Sequence, residues 1–178
     1  MKLVVLDRDG TINRDSAAYI KSPDEWIPLP GSAEAIARLN RAGFTVAVAS
    51  NQSGLARGLF DEATLAKIHA KMHAVVGAAG GEIDRVVWCP HHPDAGCDCR
   101  KPRPGLLHRL ATDYGIGLEG VPVVGDSARD LEAARAVGAR PVLVRTGNGR
   151  RTEAEGTAGD AEVYDDLAAA AAALTGER

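Results

Sequence analysis

Two aspartates separated by one residue, Asp7 and Asp9, are the first side chains in this sequence whose spacing could support chemistry. They follow the apolar run 3–6 and precede a Gly-Thr pair, which places them just past the end of a buried strand. A capping turn would explain the pair. A calcium-binding loop is excluded, because its last ligand position, which needs an acid, is occupied by Ala18. The remaining explanation is a nucleophilic carboxylate beside an acid–base carboxylate, because aspartate can attack phosphorus and divide one displacement into two.

Two carboxylates need a cation before they can approach a phosphate, because all these groups are negatively charged. A second acidic motif, Gly125-Asp126-Ser127 followed by Asp130, stands after another apolar run. An aspartate in that position is often only a helix cap. At the same sheet edge as Asp7, however, Asp126 would complete an oxygen site for a hard cation, and Mg²⁺ is the expected ion.

Ser50 and Lys101 are candidates for stabilising a transferring phosphoryl group. Ser50 ends a further apolar run and offers a hydroxyl and neighbouring backbone N–H groups, although an ordinary polar turn explains it equally well. Arg100 and Lys101 supply positive charge, and the alternative for such a pair is a solvated surface. Their position directly after a cluster of metal-type residues favours a fixed place in the structure.

That cluster contains all three cysteines of the chain, which lie within residues 89–99. An odd number of clustered cysteines favours a metal over disulfides. Thiolates and one imidazole in a short segment predict a closed structural zinc site, with free thiols as the alternative. The expected ligands are Cys89, His91, Cys97 and Cys99. The spacing is tighter than in a zinc finger, and His92 is expected to stand outside because four ligands are already present.

Length and composition describe the domain that must position these residues. The chain has 178 residues, 45% of them hydrophobic, and a net charge of -3, which predicts one globular domain spanning 1–178 and argues against non-specific nucleic-acid binding. No apolar run is long enough to cross a membrane, and the first residues do not resemble a signal peptide. A cytoplasmic location is therefore expected.

Apolar runs alternate with helical patterns along the chain, which predicts an α/β fold with a doubly wound parallel sheet. No connection up to Ser50 has room for a second folded domain, so the fold is expected to lack a large lid domain. Strands are predicted at 3–6, 44–49, 83–88, 121–124 and 141–144. Helices are predicted from 32, from 62 to about 76, at 105–114, around 130–136, and after Asp165 or Asp166. The Gly- and charge-rich segment 147–159 is expected to be a mobile loop.

The motifs DRDGTIN, SNQSG, RKP and GDSxxD, in this order, resemble those of the haloacid-dehalogenase-like phosphatase superfamily. The inserted CPHHPDAGCDCRKPRPG is similar to the zinc-containing branch that lacks a cap domain. The resemblance covers nearly all of 1–149 and implies a single Rossmann-like haloacid-dehalogenase domain with a zinc-binding loop at 89–99.

The resemblance also implies a role for each matching residue. Asp7 would be the nucleophile and Asp9 the general acid/base, while Ser50 and Lys101 would stabilise the phosphoryl group. Mg²⁺ would be held by Asp7, Asp126 and the backbone carbonyl of Asp9, and Asp130 would orient the loop on the metal side. The expected substrate-binding residues are Asp15, Ser16, Ala17, Ala18, Ser50, Asn51, Gln52, Ser53, Arg100 and Lys101.

The choice of substrate depends on smaller features of the sequence. Residues 51–58 and the short segment 13–31 look like those of enzymes that act on heptose phosphates, whereas the short segment 92–96 resembles histidinol phosphatases. Ser127 stands where some relatives have lysine, which leaves a cationic substrate contact there open.

The predicted function is Mg²⁺-dependent hydrolysis of the 7-phosphate of D-glycero-D-manno-heptose 1,7-bisphosphate through an aspartyl-phosphate. This reaction belongs to the synthesis of nucleotide-activated heptose for the lipopolysaccharide core. The alternatives are a histidinol-phosphate phosphatase and, from another class, a zinc-stabilised binding or receiver-like module without turnover. The predicted partner is a small sugar phosphate, with no nucleic acid or membrane, for a monomeric enzyme.

Overall fold

Six parallel strands form one sheet in the computed structural model, which describes residues 1–177; Arg178, the end of the predicted domain, lies outside them. The strands are β1 (Lys2–Leu6), β2 (Phe44–Asn51), β3 (Arg85–Cys89), β4 (Pro122–Gly125), β5 (Arg140–Val144) and β6 (Glu162–Tyr164). Their order across the sheet is β3-β2-β1-β4-β5-β6. The register is parallel throughout, with Val5 opposite Ala47 of β2 and Val123 of β4. The predicted doubly wound parallel sheet is confirmed.

Helices cover both faces of this sheet, which explains why β1 is apolar at successive positions. They are α1 (Ser32–Arg41), α2 (Glu62–Ala78), α3 (Gly105–Tyr114), α4 (Ala128–Ala136), α5 (Gly149–Ala154) and α6 (Leu167–Thr175). Val4 and Leu6 pack with residues of α1, α2 and α6, whereas Leu3 and Val5 pack with residues of α3 and α4. No helix within residues 1–177 is long and apolar enough to cross a membrane.

The strand order places a topological switch point between β1 and β4. From β1 the chain builds outward through β2 to β3, and it then returns to the other side of β1 to form β4. The helices that follow β1 and β4 diverge there, so a crevice opens at the carboxyl ends of these strands. Asp7 follows β1 and Asp126 follows β4, which brings both aspartates to this crevice.

The prediction of a mobile loop at 147–159 was wrong, and β6 was not predicted. Residues 149–154 form α5, and Thr152 is buried and donates its hydroxyl to the backbone carbonyl of Asp126 at 2.8 Å. β6 is a three-residue edge strand without the apolar pattern of the central strands. Both elements depend on partners far away in sequence, so local composition did not reveal them.

Candidate active site

The loop after β1 brings Asp7 into contact with β4. The backbone N–H of Asp7 donates to the carbonyl of Val124 at 2.8 Å, and the carbonyl of Arg8 accepts from Ile12 N–H at 2.9 Å to close the turn. Gly10 adopts a φ of 88°, and a Cβ there would overlap the carboxylate of Asp126. The glycine of the first motif is therefore required both by the backbone conformation and by the close approach of Asp126.

Three carboxylates meet at this edge of the sheet. Asp7, Asp126 and Asp130 each offer an oxygen within 4.8 Å of the others. Burial, followed by the charge of Asp130, raises the pKa of Asp7, and the same two causes raise the pKa of Asp126 to about 6. Carboxylate oxygens this close together repel one another when ionised, so the cluster fits a hard divalent ion such as Mg²⁺.

Lys101 lies between two of these carboxylates and is buried. Its ammonium donates to Asp7 Oδ1 at 2.8 Å, to Asp130 Oδ1 at 2.7 Å and to the carbonyl of Ala49 at 2.7 Å. Burial alone would lower the pKa of Lys101, but the two carboxylates raise it, so the side chain stays charged. The structure thus rejects the surface alternative for Lys101 and puts its positive charge beside Asp7.

Asp130 connects Lys101 to the helix that follows β4. Its Oδ2 accepts from the backbone N–H of Ser127 at 3.1 Å and from the Ser127 hydroxyl at 2.9 Å at the start of α4. Gly125 allows this approach, because a Cβ there would overlap the Asp130 side chain. Asp130 therefore ties the start of α4 to the loop that carries Asp126.

The carboxylate of Asp9 lies outside the cluster of three carboxylates and is held by other donors. It accepts from Arg8 Nε at 2.8 Å, from Asn13 Nδ2 at 2.9 Å and from Gln52 Nε2 at 3.2 Å. Burial would raise the pKa of Asp9, but the Arg8 charge and these hydrogen bonds lower it. The pKa values of the two aspartates of the first motif are therefore shifted in opposite directions by their surroundings.

The end of β2 and the residue after it are fixed to the loop that carries Lys101. Asn51 accepts from the backbone N–H of Lys101 at 3.0 Å and donates to its carbonyl at 3.1 Å. Gln52 donates to the hydroxyl of the buried Ser50 at 2.8 Å, in addition to its bond to Asp9. Ser50, Lys101 and the first acidic loop are thus linked by hydrogen bonds.

One polar pocket opens over these groups. Of the predicted catalytic, magnesium and substrate residues, those that line it are Asp7, Asp9, Asp15, Ser16, Ala17, Ser50, Asn51, Gln52, Ser53, Arg100, Lys101 and Asp126. Ala18 does not line it, and its N–H instead binds the Ser16 hydroxyl at 3.1 Å. The pocket is also lined by Tyr19, Ile20, Arg57, Ser127, Arg129, Asp130 and Asn148.

Asn148 is a site residue that the sequence analysis missed. Its backbone N–H donates to Asp126 Oδ2 at 2.8 Å, and its side chain donates to Asp15 Oδ2 at 3.0 Å. The preceding Gly147 has a φ of 55°, and a Cβ there would overlap both Asp126 and Gly10. The glycines around Asn148 are the signal in the sequence, and they serve close packing rather than the mobility predicted for 147–159.

The predicted zinc ligands are brought together at the end of β3. Cys89 Sγ lies 3.6 Å from Cys97 Sγ and 3.4 Å from His91 Nδ1, which is 3.2 Å from Cys99 Sγ. Tetrahedral zinc with bonds of about 2.3 Å to sulfur would separate two sulfurs by about 3.8 Å. Three thiols and one imidazole at these separations therefore fit Zn²⁺, and His92 stands apart by accepting from Asp94 N–H at 3.2 Å.

The zinc-ligand cluster is joined to the pocket through the chain that follows it. Arg103 donates to the carbonyl of Cys97, and Gly105 N–H donates to the carbonyl of Asp98 at 2.9 Å. A Cβ at Gly105 would overlap the backbone of Asp98, so the turn packs closely on the start of α3. Arg100 and Lys101 lie within this turn, so the cluster helps to fix their positions.

The sheet, its switch point and the acidic pocket are those of the haloacid-dehalogenase-like hydrolases. A family model described as "HAD-hyrolase-like" matches residues 98–170. At the level of the whole chain, the protein is 60% identical over 174 residues to "D-glycero-beta-D-manno-heptose-1,7-bisphosphate 7-phosphatase" of Pseudomonas putida, covering 98% of this chain and 99% of that protein. The relative of the same name from Bordetella bronchiseptica is 57% identical, with 99% of each chain covered.

Solved structures agree with these sequence relatives. The crystal structure of D,D-heptose 1.7-bisphosphate phosphatase from B. bronchiseptica, complexed with magnesium and phosphate, has a TM-score of 0.97, 57% identity and full coverage of both chains. The enzyme from Burkholderia thailandensis has a TM-score of 0.76 and 48% identity, with 98% of each chain covered. The chain therefore belongs to the family of D-glycero-beta-D-manno-heptose-1,7-bisphosphate 7-phosphatases and is a phosphoric monoester hydrolase.

Proposed function

We propose that this protein hydrolyses the 7-phosphate of D-glycero-beta-D-manno-heptose 1,7-bisphosphate and releases heptose 1-phosphate and inorganic phosphate. The observation that carries the proposal is the position of Asp7, which lines a polar pocket beside the charged Lys101 and two further carboxylates. The names of the relatives supply the sugar and the bond that is cleaved. The reaction would serve the synthesis of nucleotide-activated heptose in the cytoplasm, where reducing conditions keep the cysteines free of disulfides.

Mg²⁺ is the proposed catalytic ion, and its ligands would be Asp7, Asp126 and the backbone carbonyl of Asp9. The buried, mutually repelling carboxylates support this assignment, and so does the magnesium complex of the B. bronchiseptica relative. When bound, Mg²⁺ would offset the negative charge of these groups and of the phosphate. Asp130 is the remaining acid of the cluster, but its two oxygens are already used by Lys101 and Ser127.

The chain's own residues account for both steps of the proposed reaction. A carboxylate oxygen of Asp7 attacks phosphorus while Asp9 gives a proton to the departing sugar oxygen, which leaves an aspartyl-phosphate. Asp9 then takes a proton from water, whose oxygen bonds to phosphorus as the bond to Asp7 breaks. Throughout, the Lys101 ammonium and the Ser50 hydroxyl would stabilise the negative oxygens of the phosphoryl group.

A bisphosphate substrate would bring a second dianion, and three arginines line the pocket that could bind it. They are Arg57, Arg100 and Arg129. Burial, followed by the charge of Arg129 with a smaller contribution from Arg57, lowers the pKa of Arg100, as expected for positive charges that share one pocket. Within residues 1–177 none of the three forms an ion pair with a carboxylate, so their charges are available to an anion.

Zinc is proposed as a structural ion at Cys89, His91, Cys97 and Cys99. The support is the donor set and its near-tetrahedral separations. A bound ion would add its binding free energy to folding and would hold the turn that carries Lys101. Residues 89–99 thus form the proposed zinc-binding loop of this single-domain enzyme.

A substrate panel with ³¹P NMR detection tests the proposed function. Purified enzyme with Mg²⁺ is given heptose 1,7-bisphosphate, histidinol phosphate or fructose 1,6-bisphosphate, with the Asp7→Asn variant as the inactive control. We expect loss of the 7-phosphate signal and a kcat/KM at least tenfold above that for histidinol phosphate, a difference of about 1.4 kcal/mol. A higher kcat/KM for histidinol phosphate would replace the assignment, and the absence of any phosphate release would favour a non-catalytic module.

A further inference from the structure

Arg8 is the residue between the two aspartates of the first motif, and its side chain is fully buried. Its guanidinium contacts Asp9 twice, with Nε donating to Oδ1 at 2.8 Å and one terminal nitrogen donating to Oδ2 at 3.2 Å. The two bonds define both the position and the plane of the carboxylate, as a paired contact from a rigid guanidinium does. Arg8 does not line the pocket, so any effect on the reaction must pass through Asp9.

The other terminal nitrogen of Arg8 lies 3.1 Å from Nε2 of His69 in α2. A guanidinium can only donate, so Nε2 must accept and the ring proton must be on Nδ1. His69 is itself buried, and its ring meets Trp88 of β3 edge-on, with 5.6 Å between centroids. Burial lowers the pKa of His69 to about 3, and the nearby charges of Arg8 and His73 act in the same direction. The charge of Asp9 opposes them only in part, so the ring is a neutral acceptor.

A continuous set of contacts therefore runs from the helix and sheet core to the acid–base carboxylate. Trp88 fixes the His69 ring, His69 fixes the Arg8 guanidinium, and Arg8 fixes Asp9. Asn13 from the same loop and Gln52 from the loop after β2 complete the hydrogen bonds of Asp9. An unpaired buried guanidinium would be costly, so the His69 acceptor stabilises the arrangement in which Arg8 makes all three contacts.

We propose that Arg8, held by His69, is a positioning residue that fixes the Asp9 carboxylate in the orientation needed for proton transfer with water. The inference rests on the proposed function. In the step concerned, an Asp9 oxygen takes a proton from water, the water oxygen bonds to phosphorus, and the phosphorus–Asp7 bond breaks to give phosphate and a free carboxylate. Proton transfer by a positioned group typically contributes about 100-fold or more, and it depends on orientation.

The test uses 4-nitrophenyl phosphate, because its alcohol departs without a proton and phosphorylation of Asp7 then does not need Asp9. Rapid mixing measures the release of 4-nitrophenolate, and intact-protein mass spectrometry after quenching measures the fraction of phosphorylated enzyme. The variants are Arg8→Lys, which keeps the charge but loses the paired contact, His69→Gln, which keeps an acceptor, and His69→Leu, which removes it. Leu110→Ala, in the core on the other face of the sheet, is the control for general destabilisation.

We expect Arg8→Lys to slow breakdown of the phosphoenzyme about tenfold or more while its formation changes little, so phosphorylated protein accumulates. His69→Leu should show a smaller change in the same direction, His69→Gln should approach wild type, and Leu110→Ala should lower the melting temperature without accumulation. Equal slowing of both steps in Arg8→Lys, or equal effects of His69→Gln and His69→Leu, would overturn the inference. If wild-type enzyme did not hydrolyse the heptose bisphosphate, the proposed function would fail, which is a separate result.

Discussion

Replacing Lys101 with methionine should destabilise the protein strongly, because two buried carboxylates depend on its charge. The ammonium lies 2.8 Å from Asp7 Oδ1 and 2.7 Å from Asp130 Oδ1, and the lysine side chain is only 6% exposed. Methionine has a similar length and fills the same space, so the loss is one of charge rather than of volume.

The expected cost follows from the geometry. Each hydrogen bond to a charged group contributes about 1.5–3 kcal/mol. Removing one partner of a buried ion pair costs about 3–5 kcal/mol, because the remaining charge is left without compensation. With two carboxylates affected, we expect Lys101→Met to lower the free energy of unfolding by about 3–5 kcal/mol in magnesium-free buffer.

Urea denaturation measures this change, and a second variant shows its origin. Asp130→Asn breaks the same ion pair from the other side and also weakens the contact with Ser127. If the Lys101–Asp130 pair is the cause, the double variant should be more stable than the sum of the single effects predicts, by about 2 kcal/mol. Mg²⁺ should recover part of the stability of Lys101→Met, because it supplies positive charge to Asp7.

Two results would refute this reasoning. One is a loss below about 1 kcal/mol for Lys101→Met, which is the size expected of an exposed pair. The other is simple additivity of Lys101→Met and Asp130→Asn, which would mean that the two groups do not interact.

In the assay of turnover, Lys101→Met should also lower kcat about 100-fold or more, because a fixed donor to the phosphoryl oxygens is lost.

The remaining predictions concern the nucleophile, the metal ions and the substrate. Asp7→Asn should abolish turnover and leave no phosphorylated protein in the quench assay, since an amide cannot form the acyl-phosphate. The raised pKa of Asp126, about 6 in the metal-free protein, means that the folded state holds more protons than the unfolded state between about pH 4 and 6. Stability without Mg²⁺ should therefore fall as the pH rises through that window, and the gain in melting temperature on adding Mg²⁺ should be larger at pH 7 than at pH 5; an equal gain at both would contradict this. Cys99→Ser should lower the zinc content measured by elemental analysis and the melting temperature, whereas wild-type protein with no zinc and three freely titrating thiols would exclude the metal. Arg100→Ala should reduce the preference for heptose bisphosphate over a monophosphate while Mg²⁺ binding, measured by calorimetry, stays unchanged.

The sequence was sufficient for the elements whose signals are local. Mainly apolar runs identified five of the six strands, because the centre of a strand covered on both faces is apolar. The predicted start of α2 at residue 62 is confirmed, with Asp61 capping it by accepting from Thr64 N–H at 2.8 Å, and Asp166 is the cap of α6. The acids after β1 and β4 could be assigned to one edge because the carboxyl ends of parallel strands share that edge.

Other parts of the site depended on residues that are distant in the chain. Asn148 binds Asp126 from a segment that composition had marked as mobile, and the short β6 exists only because β5 lies beside it. Lys101 and Arg8 are ordinary basic residues in the sequence, yet the fold buries Lys101 between Asp7 and Asp130 and Arg8 between Asp9 and His69. The sequence by itself determined which groups can react and where the strands end. Only the tertiary structure decided which charges are paired, because the strength of a charge interaction depends on distance and burial that local sequence does not encode.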